Sequence, residues 1–148
     1  MAANQNPIFI IQSNKGSNGT NFGCILTTAN TTRDLSTTAN GQLLFSASTD
    51  GSRIDSIVFT HASSAQTQTS VAAVGRIFLC TSAAGANPLL IAEQSLPAIA
   101  PSASAVGQSQ TFTFSTPLFL KSGMFLWATI SATQTSGAYH VTCNGGDY

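Results

Sequence analysis

Two histidines, His61 and His140, are the only side chains whose ordinary pKa lies between pH 5 and 8, and Cys24, Cys80 and Cys143 are the only thiols. His140 and Cys143 are three residues apart. On a strand that odd separation turns them to opposite faces, so they cannot chelate one ion together. A metal site built from Cys80, Cys143 and the histidines needs long-range convergence that no ligand spacing announces. Asp55 and His61 fall on one strand face but six residues apart, roughly 20 Å at about 3.3 Å per residue. A catalytic triad would therefore have to recruit Asp34, Asp50 or Asp147. No nucleophile elbow, phosphate-binding glycine loop or closely spaced carboxylate pair is present. Asp50 and Asp55 read as turn and surface residues, and Glu93 stands alone. The expectation is a protein that is not an enzyme and holds neither metal nor cofactor.

The remaining charges are few. Across 148 residues, five Lys plus Arg balance five Asp plus Glu, and charged residues make up 7% of the chain, against about 25% in an ordinary soluble domain. Ions this scarce are expected to be paired, Arg33 and Asp34 among them: Arg53 and Asp55, at i and i+2 on one strand face, are placed for a structural bridge or a cross-strand partner, with an intersubunit salt bridge as the sharper reading. The absence of a basic excess argues against a partner recognised through phosphates. The 43% hydrophobic content argues against a disordered chain. Apolar runs of only a few residues exclude a bilayer-spanning segment. Nineteen Ser and nineteen Thr leave solubility to neutral hydroxyls. A net charge of zero offers little colloidal repulsion, which favours association. The N-terminus carries no secretion signal. Together with an odd number of cysteines, this points to reduced, buried thiols in a chain synthesised in a cytoplasm.

The elements that would carry these residues are strands. Candidates are Pro7–Gln12, Gly23–Thr28, Gln42–Ser48, Arg53–Ala62, Ala73–Thr81, Leu89–Ser95, Gln110–Ser115, Leu118–Lys121, Phe125–Thr133 and Ala138–Cys143. They are punctuated by Asn18-Gly19, Asn40-Gly41, Asp50-Gly51 and Asn144-Gly145 as turns. Asp50-Gly51 should close a hairpin, and Lys121-Ser122-Gly123 should join its two flanking strands. Short strands at this spacing predict an all-β protein, an antiparallel β-sandwich of jelly-roll-like form with an extended N-terminal arm. Thr111-Phe112-Thr113-Phe114 alternates, placing both phenylalanines on the core and both threonines outside. Arg76–Cys80 and Phe125–Ile130 are apolar on both faces: Phe78, Cys80, Phe125 and Trp127 turn away from Ile77, Leu79, Leu126, Ala128 and Ile130. A second layer must cover them, supplied by a loop of the same chain or by another copy.

The division is residues 1–22 as arm and linker and residues 23–148 as the sandwich domain. The polar stretch Asn14–Asn21 separates the body from an apolar tip, Pro7, Ile8, Phe9, Ile10 and Ile11. That tip is the candidate partner-binding arm, able to add a strand to a neighbour, or else an edge strand folding back on its own domain.

Four motifs carry a resemblance: Thr28-Ala29-Asn30-Thr31-Thr32-Arg33-Asp34; Asp50-Gly51-Ser52-Arg53-Ile54-Asp55-Ser56-Ile57; Leu120-Lys121-Ser122-Gly123; and Gly145-Gly146-Asp147-Tyr148. Over roughly residues 27–148 the chain resembles small virion structural proteins of tailed bacteriophages and prophages, though with less charge in the middle strands. The resemblance implies a capsid decoration, or cement, protein on the virion surface. Its partners would be the major capsid protein and its own copies in a homotrimer, with no nucleic acid and no membrane. The alternative is a phage tail or receptor-binding component that recognises a glycan, with Trp127 or Tyr139 stacking on the sugar.

Overall fold

In the computed structural model the described residues are 23–35, 40–65, 67–102, 104 and 106–148. They form eight strands: β1 (Gly23–Leu26), β2 (Gln42–Ser46), β3 (Ser52–Ala62), β4 (Ala73–Cys80), β5 (Leu89–Leu96), β6 (Ser109–Leu120), β7 (Phe125–Ile130) and β8 (Ala138–Asp147). One sheet has the order β1-β8-β3-β6 and the other β2-β7-β4-β5, with every strand pair antiparallel. The antiparallel two-sheet sandwich is the one the strand spacing predicts, and its strand order, which the spacing leaves open, is that of a jelly roll. The arm, Pro7 to Ile11, lies outside the described residues.

Period-2 patterning builds the core between the sheets. Ile54, Ile57 and Phe59 of β3, Tyr139, Val141 and Cys143 of β8, and Leu126, Ala128 and Ile130 of β7 are buried there. Phe112 and Phe114 pack against this core edge-to-face, with ring centroids 5.0 Å apart, while Thr111 and Thr113 are exposed.

Three local expectations are corrected. The Asp50-Gly51 turn forms, with Gly51 at φ 98° and its N–H donated to Ser48 O at 3.2 Å. It closes no hairpin, because β2 and β3 belong to different sheets; a turn signal fixes a reversal, not which sheet receives the next strand. The same holds for Lys121-Ser122-Gly123, which carries the chain from β6 to β7. Second, Gln110–Ser115 and Leu118–Lys121 are halves of one strand. Between the pairs Ile54↔Leu118 and Ser56↔Thr113 the register shifts, so the residues around Pro117 bulge from an edge strand, where proline costs no ladder bond. Third, Asn144-Gly145 is not a turn but lies inside β8. Gly145 sits against the β3 irregularity, where an added Cβ would lie 2.0 Å from Arg53 O, so only glycine lets the two backbones approach.

Candidate interaction surface

The β3 bulge also decides where the chemistry-bearing residues point. An extra residue reverses the inward–outward alternation: Arg53 and Asp55 precede the reversal and His61 follows it. Asp55 therefore faces out in an ion pair with Arg53 at 2.7 Å, as the i, i+2 spacing predicts. His61 faces in, 7% exposed, with its ring edge-to-face on Tyr139 at 5.4 Å. The single strand face expected to carry both Asp55 and His61 does not exist. His61 has its pKa lowered from 6.5, first by burial, against a hydrogen bond to the Ser136 backbone that raises it, and with His140 lowering it further. His140, one residue beyond Tyr139, is exposed on the other side of the sheet.

All three thiols are free and buried. Burial pushes Cys24 up to about 12 and raises Cys80 and Cys143 as well, so each is a protonated packing group at neutral pH. Among the described residues no three His, Cys, Asp or Glu side chains gather as a metal-ligand group.

Glu93 does not stand alone. It is the cross-strand partner of Arg76, accepts a hydrogen bond from Arg76 Nε at 3.0 Å, and is bridged on its other oxygen by Arg33. Hydrogen bonding from Arg76, offset by some burial and helped by Arg33, holds its carboxyl below 4.5. Arg33 thus pairs across space with Glu93. The buried Arg76 guanidinium also donates from Nη1 to the carbonyls of Asn30 and Thr32, both at 3.1 Å. Those bonds fasten the segment after β1 onto the outer face of β2-β7-β4-β5. There Leu35 completes a second apolar cluster with Phe78, Cys80 and Trp127. The cover required by the two-faced strands is thus a loop of the same chain.

The other outer face, on β1-β8-β3-β6, has no such cover among the described residues. Its cross-strand rows are Ile25–His140–Thr60–Ser109, Thr142–Val58–Thr111, Asn144–Ser56–Thr113 and Gly146–Arg53–Phe119. Hydroxyls and amides bond along the face, Thr60 to Ser109 at 3.1 Å and Asn144 to Ser56 at 2.9 Å. Its one arginine is neutralised by Asp55. Apolar groups emerge at opposite corners, Ile25 at 57% and Phe119 at 60% exposure, and Phe119 stacks on Tyr148 with centroids 6.5 Å apart. This strip was legible in the sequence only in part: the Thr111-Phe112-Thr113 alternation places its threonines, but nothing local announces that Phe119 meets Tyr148.

Three of the four motifs meet at this end. The Ser52 hydroxyl donates to buried Asp147 at 2.6 Å, and Tyr148 N–H donates to Gly51 O at 3.1 Å. An added Cβ on Gly51 would lie 3.0 Å from Leu120 O. The fourth motif, Thr28–Asp34, is the covering segment. These residues therefore hold the jelly roll closed. Trp127 and Tyr139, offered for sugar stacking, are 8% and 0% exposed; both belong to the interior. The fold and this neutral strip define a jelly-roll β-sandwich with one sheet face left uncovered among the described residues. The chain matches no protein-family model, no curated protein and no solved structure.

Proposed function

We propose that this protein is a structural component of a tailed-bacteriophage virion, a capsid decoration protein that binds the outer shell and stabilises contacts between major capsid proteins. The observation that carries the reading is the open face of β1-β8-β3-β6. It is hydroxyl-rich and, among the described residues, without uncompensated charge, and it suits attachment to another protein surface through hydrogen bonds and apolar corners. At about 4.8 Å per strand spacing and about 3.4 Å per residue the face measures about 15 by 20 Å. That is well below the roughly 800 Å² per partner of a standard stable interface. Further contacts must add to it, and two sources are proposed: the Pro7–Ile11 arm and self-association into a homotrimer. Linked weak contacts gain strongly from one another on a repeating lattice. A ligand that binds only the assembled shell stabilises it by mass action.

The test is a cryo-EM reconstruction of particles released from cells carrying the gene. Density for this sandwich on the capsid lattice, open face toward the shell, is the expected outcome. Density at the tail tip, or none on the particle, would overturn the reading.

A further inference from the structure

The end of the sandwich opposite the Asp50-Gly51 turn is closed by a buried polar network. Gln108 is its hub: its Oε1 accepts from Tyr139 Oη at 2.7 Å and from Ser70 Oγ at 3.3 Å, and its backbone carbonyl accepts from His61 N–H at 2.8 Å. Ser70 is tied in turn to Ile99: its N–H donates to the Ile99 carbonyl and its Oγ accepts from the Ile99 N–H, both at 3.0 Å. Gln134 clamps Val71 through bonds of 2.8 and 3.1 Å. Among the described residues, two side-chain atoms inside this network have no hydrogen-bond partner, His61 Nε2 and Gln108 Nε2. Gly137 closes over the imidazole, for a Cβ added there would lie 3.0 Å from His61 Nε2.

A neutral imidazole fits this site, with one nitrogen serving the Ser136 backbone and the other a bare lone pair. A second proton turns that lone pair into a buried donor, and a buried donor without an acceptor carries the full desolvation cost of its group. Among the described residues no carboxylate acts on the imidazole. From β8 the groups facing His61 are Tyr139, an aromatic edge, and His140, whose charge opposes a second one. Gln108 adds an unpartnered amide nitrogen, and Ser136 contributes only backbone. None of the ion pairs formed by Arg33, Arg53, Arg76, Asp55 and Glu93 includes it.

We propose that His61 is an acid-sensitive latch on this end of the sandwich: its protonation opens the network joining Ser70, Ile99, Gln108 and Gln134 while the opposite end stays closed. This inference is independent of what the protein attaches to.

The experiment is amide hydrogen exchange by NMR on the full chain from pH 7.5 to 5, corrected for intrinsic exchange. The expected result is that opening measured at the amides of His61, Ser70, Ile99 and Gln134 rises as pH falls, with a limiting slope of about tenfold per pH unit. Ala47 and Met124, bonded at the far end, should not follow. His61→Gln should abolish the pH dependence and His140→Gln should leave it in place. A uniform rise at both ends, or a rise unchanged in His61→Gln, would overturn the latch. If His61→Gln does not fold, direct titration of the His61 imidazole in the wild type decides: a midpoint below 6.5 supports it and one at or above 6.5 refutes it.

Discussion

Arg76 is where one substitution reports most on the covered face. Its side chain is 9% exposed, and its guanidinium bridges Glu93 to two backbone carbonyls of the covering segment. Arg76→Ala removes one member of a buried ion pair, a change that costs about 3–5 kcal/mol when the partner is left uncompensated. Glu93 keeps Arg33 and is 31% exposed, so the low end applies, about 3 kcal/mol. For a domain of this size that is a fall in Tm of about 10 °C. The loss should be local before it is global. Without the two carbonyl bonds the segment from Asn30 to Leu35 lifts, and Cys80 and Trp127 meet water. Thiol labelling mapped by peptide mass spectrometry should find Cys80 modified well before Cys24 and Cys143, and Trp127 emission should shift to the red. A loss of stability under about 1 kcal/mol with Cys80 still protected would refute the argument that Arg76 fastens the cover.

Leu35→Ala should cost about 2–4 kcal/mol in urea unfolding, since it opens a cavity over Phe78 and Trp127. Gly145→Ala should destabilise by about 3 kcal/mol or more, or abolish folding, because the obstacle is the Arg53 backbone and not a side chain that can swing away; circular dichroism melts test it. Glu93 has a folded pKa below its unfolded 4.5. Its contribution is therefore fully present above that pH and is lost as pH falls through the lower folded value; denaturation midpoints at pH 6 and pH 3 should differ less in Glu93→Gln than in the wild type. Phe119→Ser, on an exposed side chain, should change stability by less than about 0.5 kcal/mol yet weaken sedimentation with virions.

The sequence makes the strand content, the core-facing residues and the need for a second cover legible, because period-2 patterning is a local property that survives into the fold. Phe78, Cys80 and Trp127 announce by their parity that something must lie over them. What lies there is not local: Leu35 reaches Phe78 and Arg76 reaches Asn30 and Thr32 only because β4 sits in the middle of its sheet and the chain after β1 crosses it. The bulge at Ile54–Ser56 hides for the same reason. It is set by how β3, β6 and β8 pair, and it turns His61 inward against the alternation counted from Asp55. The Asn144-Gly145 dipeptide reads as a turn because its glycine is freed for close backbone approach, which a sequence does not distinguish from a reversal. The Phe119–Tyr148 stack joins residues far apart in the chain, so no spacing rule finds it.

The claim on which the functional reading rests is that the neutral outer face of β1-β8-β3-β6 is the attachment surface, and charge introduced there tests it most directly. Thr111→Lys with Thr142→Lys puts two exposed ammonium groups in one cross-strand row, where binding would have to strip their water without offering a counter-charge. At about 1–2 kcal/mol for each poorly compensated group, co-sedimentation with virions stripped of the wild-type protein should weaken by roughly 30-fold or more. The Tm should hold, and Ala84→Lys in the loop after β4 should bind normally. A double-lysine protein that attaches as tightly as the wild type would contradict the account.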